Sequence, residues 1–144
     1  KKSPSMAAFF TPWSRLPDGV ADKLPPSRVR SVCIIGAGAS GIISAKYLID
    51  AGFEVTLFEK ATDVGGAFVS KAYDDSRLVS STYLTAFSDA RMGPSDQTHP
   101  KPHVTLPEYS QYLRDFSEQF ELLHVMEFGM HVQRVERRSD GGYK

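Results

Sequence analysis

Val32-Cys33-Ile34-Ile35 is a short, continuously apolar run closed by Gly36, the pattern of a parallel strand buried on both faces. On that reading Cys33 is a small buried strand residue. Ile42, Ile43, Ala45, Leu48 and Ile49 then recur at helical spacings, and Gly52 stands where a helix C′ residue belongs. Val55-Thr56-Leu57-Phe58 forms a second apolar run that ends at Glu59. Strand, glycine turn, helix beginning near Ala39, and strand make one βαβ unit, whose crossover is right-handed.

Further along, Thr105 and Glu108 fit a capping box, with Pro107 tolerated in the first helical turn. Tyr109, Tyr112, Leu113, Phe116 and Phe120 follow as one apolar stripe, the face a helix turns to a core. Phe128, Met130 and Val132 alternate as in a strand with one buried face. Ser139-Asp140-Gly141-Gly142 is a hairpin turn signal, with a returning strand to begin at Tyr143. Residues 1–28 carry Pro4, Pro12, Pro17, Pro25 and Pro26 and little periodicity, so they are expected to be an irregular leader. The expected class is α/β, a Rossmann-type domain over residues 29–144 with a parallel sheet and flanking helices.

Composition changes this picture little. With 144 residues, 41% hydrophobic and 24% charged, the chain is of ordinary globular make-up. Lys plus Arg and Asp plus Glu balance at 17 each, which gives no general attraction to nucleic acid or an anionic membrane. A single cysteine excludes an intrachain disulfide framework. No run approaches the ~18 apolar residues of a transmembrane helix, and the expected location is cytoplasmic. His99, His103, His124 and His131 lack metal-ligand spacing, so no metal site is expected.

The turn Gly36-x-Gly38-x-x-Gly41 carries the chemistry. Gly36 permits the tight turn out of the strand, Gly38 lets backbone approach a pyrophosphate, and Gly41 lets helix pack on strand. The helix start directs unpaired N–H groups and a positive dipole end at the same place. Glu59, at the carboxyl end of the second strand, is placed to accept both ribose hydroxyls of an adenosine and to repel a 2′-phosphate. Lys60 beside it can point to solvent. This unit alone leaves FAD and NAD both open.

Gly65-Gly66-Ala67-Phe68 follows Glu59 and resembles the FAD-binding segment of two-dinucleotide-domain flavoproteins, specifically the Gly-Gly-x-Trp of flavin-containing and Baeyer–Villiger monooxygenases with Phe in place of Trp. The stretch 78–89, "LVSSTYLTAFSD", is similar to a further segment of that family, as are the helix of residues 103–122 and the run "FGMHVQRVE". The chain thus resembles the N-terminal FAD-binding portion of a class B flavoprotein monooxygenase. The resemblance implies that NADPH reduces FAD and that a C4a-(hydro)peroxyflavin formed with O₂ oxygenates a small N- or S-containing nucleophile or a ketone. It puts FAD contacts on Gly36, Ala37, Gly38, Ala39, Ser40, Gly41, Glu59, Lys60, Gly66, Ala67, Phe68, Val79 and Ser80.

Two departures accompany it. The family's flavin-proximal asparagine aligns with Val79, which cannot donate a hydrogen bond; Ser80 or Ser81 would have to substitute, or oxygenation is altered. No catalytic residue is therefore assigned. The second glycine motif, for NADPH, and the C-terminal segment of the FAD domain do not occur in these residues, so the 144-residue chain is not expected to be active alone. The alternatives are a flavoprotein oxidase or reductase on the same fold, or a non-catalytic fragment with weak FAD affinity.

Overall fold

A computed structural model describes residues 31–73, 75–92, 103–139 and 142–144. The leader assigned to residues 1–28, and His99, lie outside the described residues.

The βαβ unit forms as its pattern predicts. Strand β1 (Ser31–Ile35) leads into helix α1 (Ala39–Asp50) and strand β2 (Glu54–Glu59). The helix ends in a Schellman arrangement: the Gly52 N–H bonds Ile49 O and the Phe53 N–H bonds Leu48 O, with Gly52 at φ +84°. Two single turns, α2 (Ala67–Ser70) and α3 (Thr82–Thr85), precede α4 (Leu106–Gln119). A 3₁₀ turn at Leu122–Val125 then delivers strand β3 (Met126–Phe128). The described sheet has the order β1-β2-β3 and is parallel throughout, with Ile35 opposite Phe58 and Glu59 opposite Phe128.

Two sequence expectations need correction. β1 is not buried on both faces: Ser31, Cys33 and Ile35 are exposed, Ile35 at 58%. It is an edge strand of the described sheet, covered by α1 on one face only, so its alternate side chains meet solvent. The third strand lies earlier than the 128–132 alternation suggested. Gly129 turns at φ +71° and ends the ladder, so Met126 is the inward residue and Met130 is 47% exposed. Asp140 and Gly141 of the SDGG turn lie outside the described residues, and the return expected at Tyr143 is present as one antiparallel rung opposite Arg137, with Glu136 and Lys144 exchanging both backbone bonds.

The core lies where α1 and α4 meet over β2, joining Ile42, Leu57, Leu113, Phe116 and Leu122. Each fully buried side chain of this size stabilises the fold by ~1.5–3 kcal/mol. The capping box of α4 is complete, Thr105 Oγ1 accepting the Glu108 N–H and Glu108 accepting the Thr105 N–H. The aromatic stripe packs as expected: Phe116 meets Phe87 edge-on at 4.7 Å and Phe120 at 4.5 Å. Among the described residues no helix is long and apolar enough to cross a membrane.

Tyr112 closes this core with a polar tip. Its hydroxyl accepts the Phe87 N–H at 2.7 Å and donates to Ala90 O at 2.9 Å. Burial pushes the phenol up to about 12, against an ordinary value near 10. Between those values the unfolded chain loses this proton while the folded chain keeps it, so stability falls as pH rises through that window. At about 1.4 kcal/mol per unit a fully buried phenol would lose roughly 3 kcal/mol, and solvent screening at this partly exposed one holds the loss to ~1–2 kcal/mol. Urea midpoints at pH 9 and pH 12 should therefore show Tyr112→Phe less stable at the lower pH, with the gap to wild type closing or reversing at the higher one.

Candidate dinucleotide site

The glycine turn is built by backbone packing. Gly36 sits at φ +98°, where an L side chain is strained, and its N–H bonds Phe58 O at 2.8 Å. A Cβ at Gly41 would stand 1.9 Å from Gly36 O, so only glycine lets α1 start against the turn. Gly38 is the N-cap of α1 in extended conformation and gives no side-chain cap. The N–H groups of Ala39, Ser40 and Gly41 therefore have no helical partner and carry the positive end of the helix.

The second glycine pair completes the same surface. The Gly65 N–H bonds Ala37 O at 2.9 Å. Gly66 has φ +58° and ψ −126°, and a Cβ there would come within 3.0 Å of Gly38 Cα. The two glycine segments thus press backbone on backbone into one cradle. Ala67 is exposed, and Phe68 packs edge-on against Tyr109 of α4 at 4.6 Å.

Glu59 stands at the wall of the cradle, 4% exposed. Its Oε2 accepts the Ala37 N–H at 2.7 Å and its Oε1 accepts the Ala61 N–H at 2.8 Å. These bonds fix the carboxylate and leave each oxygen further lone-pair capacity. Lys60 is exposed, as expected. Unpaired helix-terminal donors for a pyrophosphate beside a fixed carboxylate for a diol suit the adenosine half of a dinucleotide.

Val79 and Ser80 lie on a separate support. An antiparallel contact of Arg77 with Thr105, the Leu78 N–H to Val104 O bond and the His103 Nδ1 to Leu78 O contact at 3.1 Å hold the chain just before them. Val79 is 94% exposed. Ser80 Oγ is 2.6 Å from Thr85 Oγ1, and Ser81 Oγ caps α3 by accepting the Leu84 N–H. Thr85 Oγ1 donates to Ser81 O, so the Ser80 proton goes to Thr85, whereas Ser81, which only accepts, keeps its own proton to donate. Among the described residues no group of His, Cys, Asp and Glu could hold a metal.

Residues 29–143 match the model of the flavin-binding monooxygenase-like family. The chain belongs to that family. Among its relatives, Monooxygenase ptmN of Penicillium ochrochloron is 36% identical over 122 residues, covering 78% of this chain and 19% of the relative. Dimethylaniline monooxygenase [N-oxide-forming] 2 of Rattus norvegicus is 33% identical over 117 residues, covering 78% and 22%. The solved structure of cyclohexanone monooxygenase from Rhodococcus sp. Phi1 bound to NADP+ superposes with a TM-score of 0.67 at 29% identity, covering 78% and 21%. The chain thus spans about a fifth of the length of these relatives.

Two features of the site were missed in the sequence. The contact of Gly66 with Gly38 gives the second glycine pair a structural reason that spacing alone did not supply. Lys46 is 3% exposed, and the signal for it was present: it falls on the same helical face as Ile42, Ala45 and Ile49.

Proposed function

We propose that this chain binds FAD, the pyrophosphate on the glycine cradle and the adenosine ribose on Glu59, as part of a flavin monooxygenase. The carrying observation is Glu59, buried and fixed by the Ala37 and Ala61 N–H groups at the edge of the cradle. When bound and reduced by NADPH, the flavin supplies activation of O₂ for oxygenation of a small N- or S-containing nucleophile or a ketone. The residues of this chain bind and orient the cofactor: the cradle takes the phosphates, Glu59 takes the diol, and Val79 with Ser80 faces the flavin end. Residues 29–144 then form the N-terminal part of the FAD domain.

Val79 favours a second reading, an oxidase or reductase on the same fold. An exposed valine offers an oxygenated flavin no hydrogen bond of its own, and the Ser80 hydroxyl beside it is spent on Thr85.

Fluorescence titration tests the binding claim. FAD emission should be quenched to saturation at one cofactor per chain. ADP should displace it, and 2′,5′-ADP should not, because Glu59 repels a 2′-phosphate. No saturable quenching, or displacement by 2′,5′-ADP as good as by ADP, would remove the assignment.

A further inference from the structure

The segment after α3 is held from two sides. From α1, the Lys46 ammonium lies 2.7 Å from Asp50 Oδ2 and 3.4 Å from Asp89 Oδ1, with the Lys46 and Asp89 side chains 4% and 6% exposed. Asp89 Oδ2 also accepts the Tyr47 hydroxyl at 2.9 Å and Ser88 Oγ at 3.3 Å. From α4, the Tyr112 hydroxyl ties down Phe87 and Ala90. The ammonium further sits 4.5 Å from the Tyr47 ring centroid and 5.1 Å from that of Phe120.

A lysine this deep is costly, since its ammonium gives up hydration on burial. An apolar residue at position 46 would simply extend the Ile42–Ala45–Ile49 face. What an apolar residue could not do is select one partner at one distance. Burial pulls the ammonium's pKa down, and Asp50 with Asp89 more than reverses that, so Lys46 stays charged. The same rigid helix carries the cradle at its first turn, and α3 runs from its Ser81 cap directly into the clamped segment.

We propose that Lys46 and Asp89 are positioning residues whose buried ion pair sets where Val79–Ser81 stands relative to the glycine cradle. The pair would then fix the flavin end of the cofactor site against its adenosine end. This rests on the proposed reading of Val79 and Ser80 as flavin-facing.

Asp89→Asn, Lys46→Met and the double variant should be titrated with FAD and with ADP, and followed by amide hydrogen exchange. ADP engages only Glu59 and the cradle, so its affinity should stay within about twofold of wild type. FAD affinity should fall about tenfold in each single variant and no further in the double one, because both act through one contact. The Leu84, Thr85 and Ala86 amides, which bond Ser81 O and Thr82 O, should exchange faster while the 36–41 turn is unchanged. Equal losses for ADP and FAD would overturn the proposal, leaving Lys46 as a support of the fold alone. Unchanged exchange at residues 84–86 would overturn it too. A wild-type chain that binds neither ligand sinks the flavin reading instead, and the exchange result then decides the joint by itself.

Discussion

Gly41→Ala is expected to destabilise the protein by roughly 4 kcal/mol or prevent folding, whereas Gly38→Ala is expected to fold normally and lose its cofactor. The new Cβ at position 41 would meet Gly36 O at 1.9 Å and Gly36 C at 3.1 Å. Both are backbone atoms, and moving them drags the end of β1 and the Gly36 to Phe58 bond. At position 38 the conformation, φ −80° and ψ 179°, is ordinary for any residue. A Cβ there meets only Gly66 Cα, at a van der Waals distance of 3.8 Å. Losing a glycine N-cap to alanine costs about 1 kcal/mol, so the main effect falls on whatever the cradle holds. FAD affinity should drop at least about tenfold. Urea unfolding and FAD titration of the two variants separate a glycine the protein needs from one the ligand needs. Matching stability losses would collapse that distinction.

Glu59→Ala should combine both kinds of damage. It strands the buried Ala37 N–H, at a cost of roughly 1–3 kcal/mol, while the Ala61 N–H can turn to water. The same change removes the acceptor proposed for the ribose hydroxyls, and on that reading FAD affinity should fall about a hundredfold. Glu59→Gln keeps one oxygen for Ala37 but sets its amide against the Ala61 donor. It should recover most of the stability and little of the affinity, as read by urea midpoint and FAD titration. A Gln variant that binds FAD like wild type would show that the carboxylate charge is not used.

The βαβ unit and α4 were legible because local signals agreed: apolar runs, a capping box and glycines at the ends of elements. The Schellman end at Gly52 needed nothing beyond its own helix. What failed depended on neighbours. The apolar string 32–35 reads as doubly buried, yet burial of β1 is decided by what lies against its second face, and none of the described elements does. The alternation at 128–132 mimicked a strand because a sequence pattern does not carry the φ of Gly129. At the site, the glycines and Glu59 could be named from spacing, but the Gly38–Gly66 contact joins segments far apart in sequence. Lys46 was overlooked because a charged residue on an apolar helical face reads as noise until Asp89 is brought to it.

The cradle is closed by bonds among the protein's own groups: Gly65 to Ala37, Ala37 to Glu59, and Ala61 to Glu59. Its shape is therefore settled when the chain folds, not when a ligand arrives. Among the described residues of the cradle, no loop has to be ordered before a nucleotide meets this surface. Its capture rate should be governed by diffusion and orientation, and differences in affinity among cradle variants should appear in how fast the nucleotide leaves.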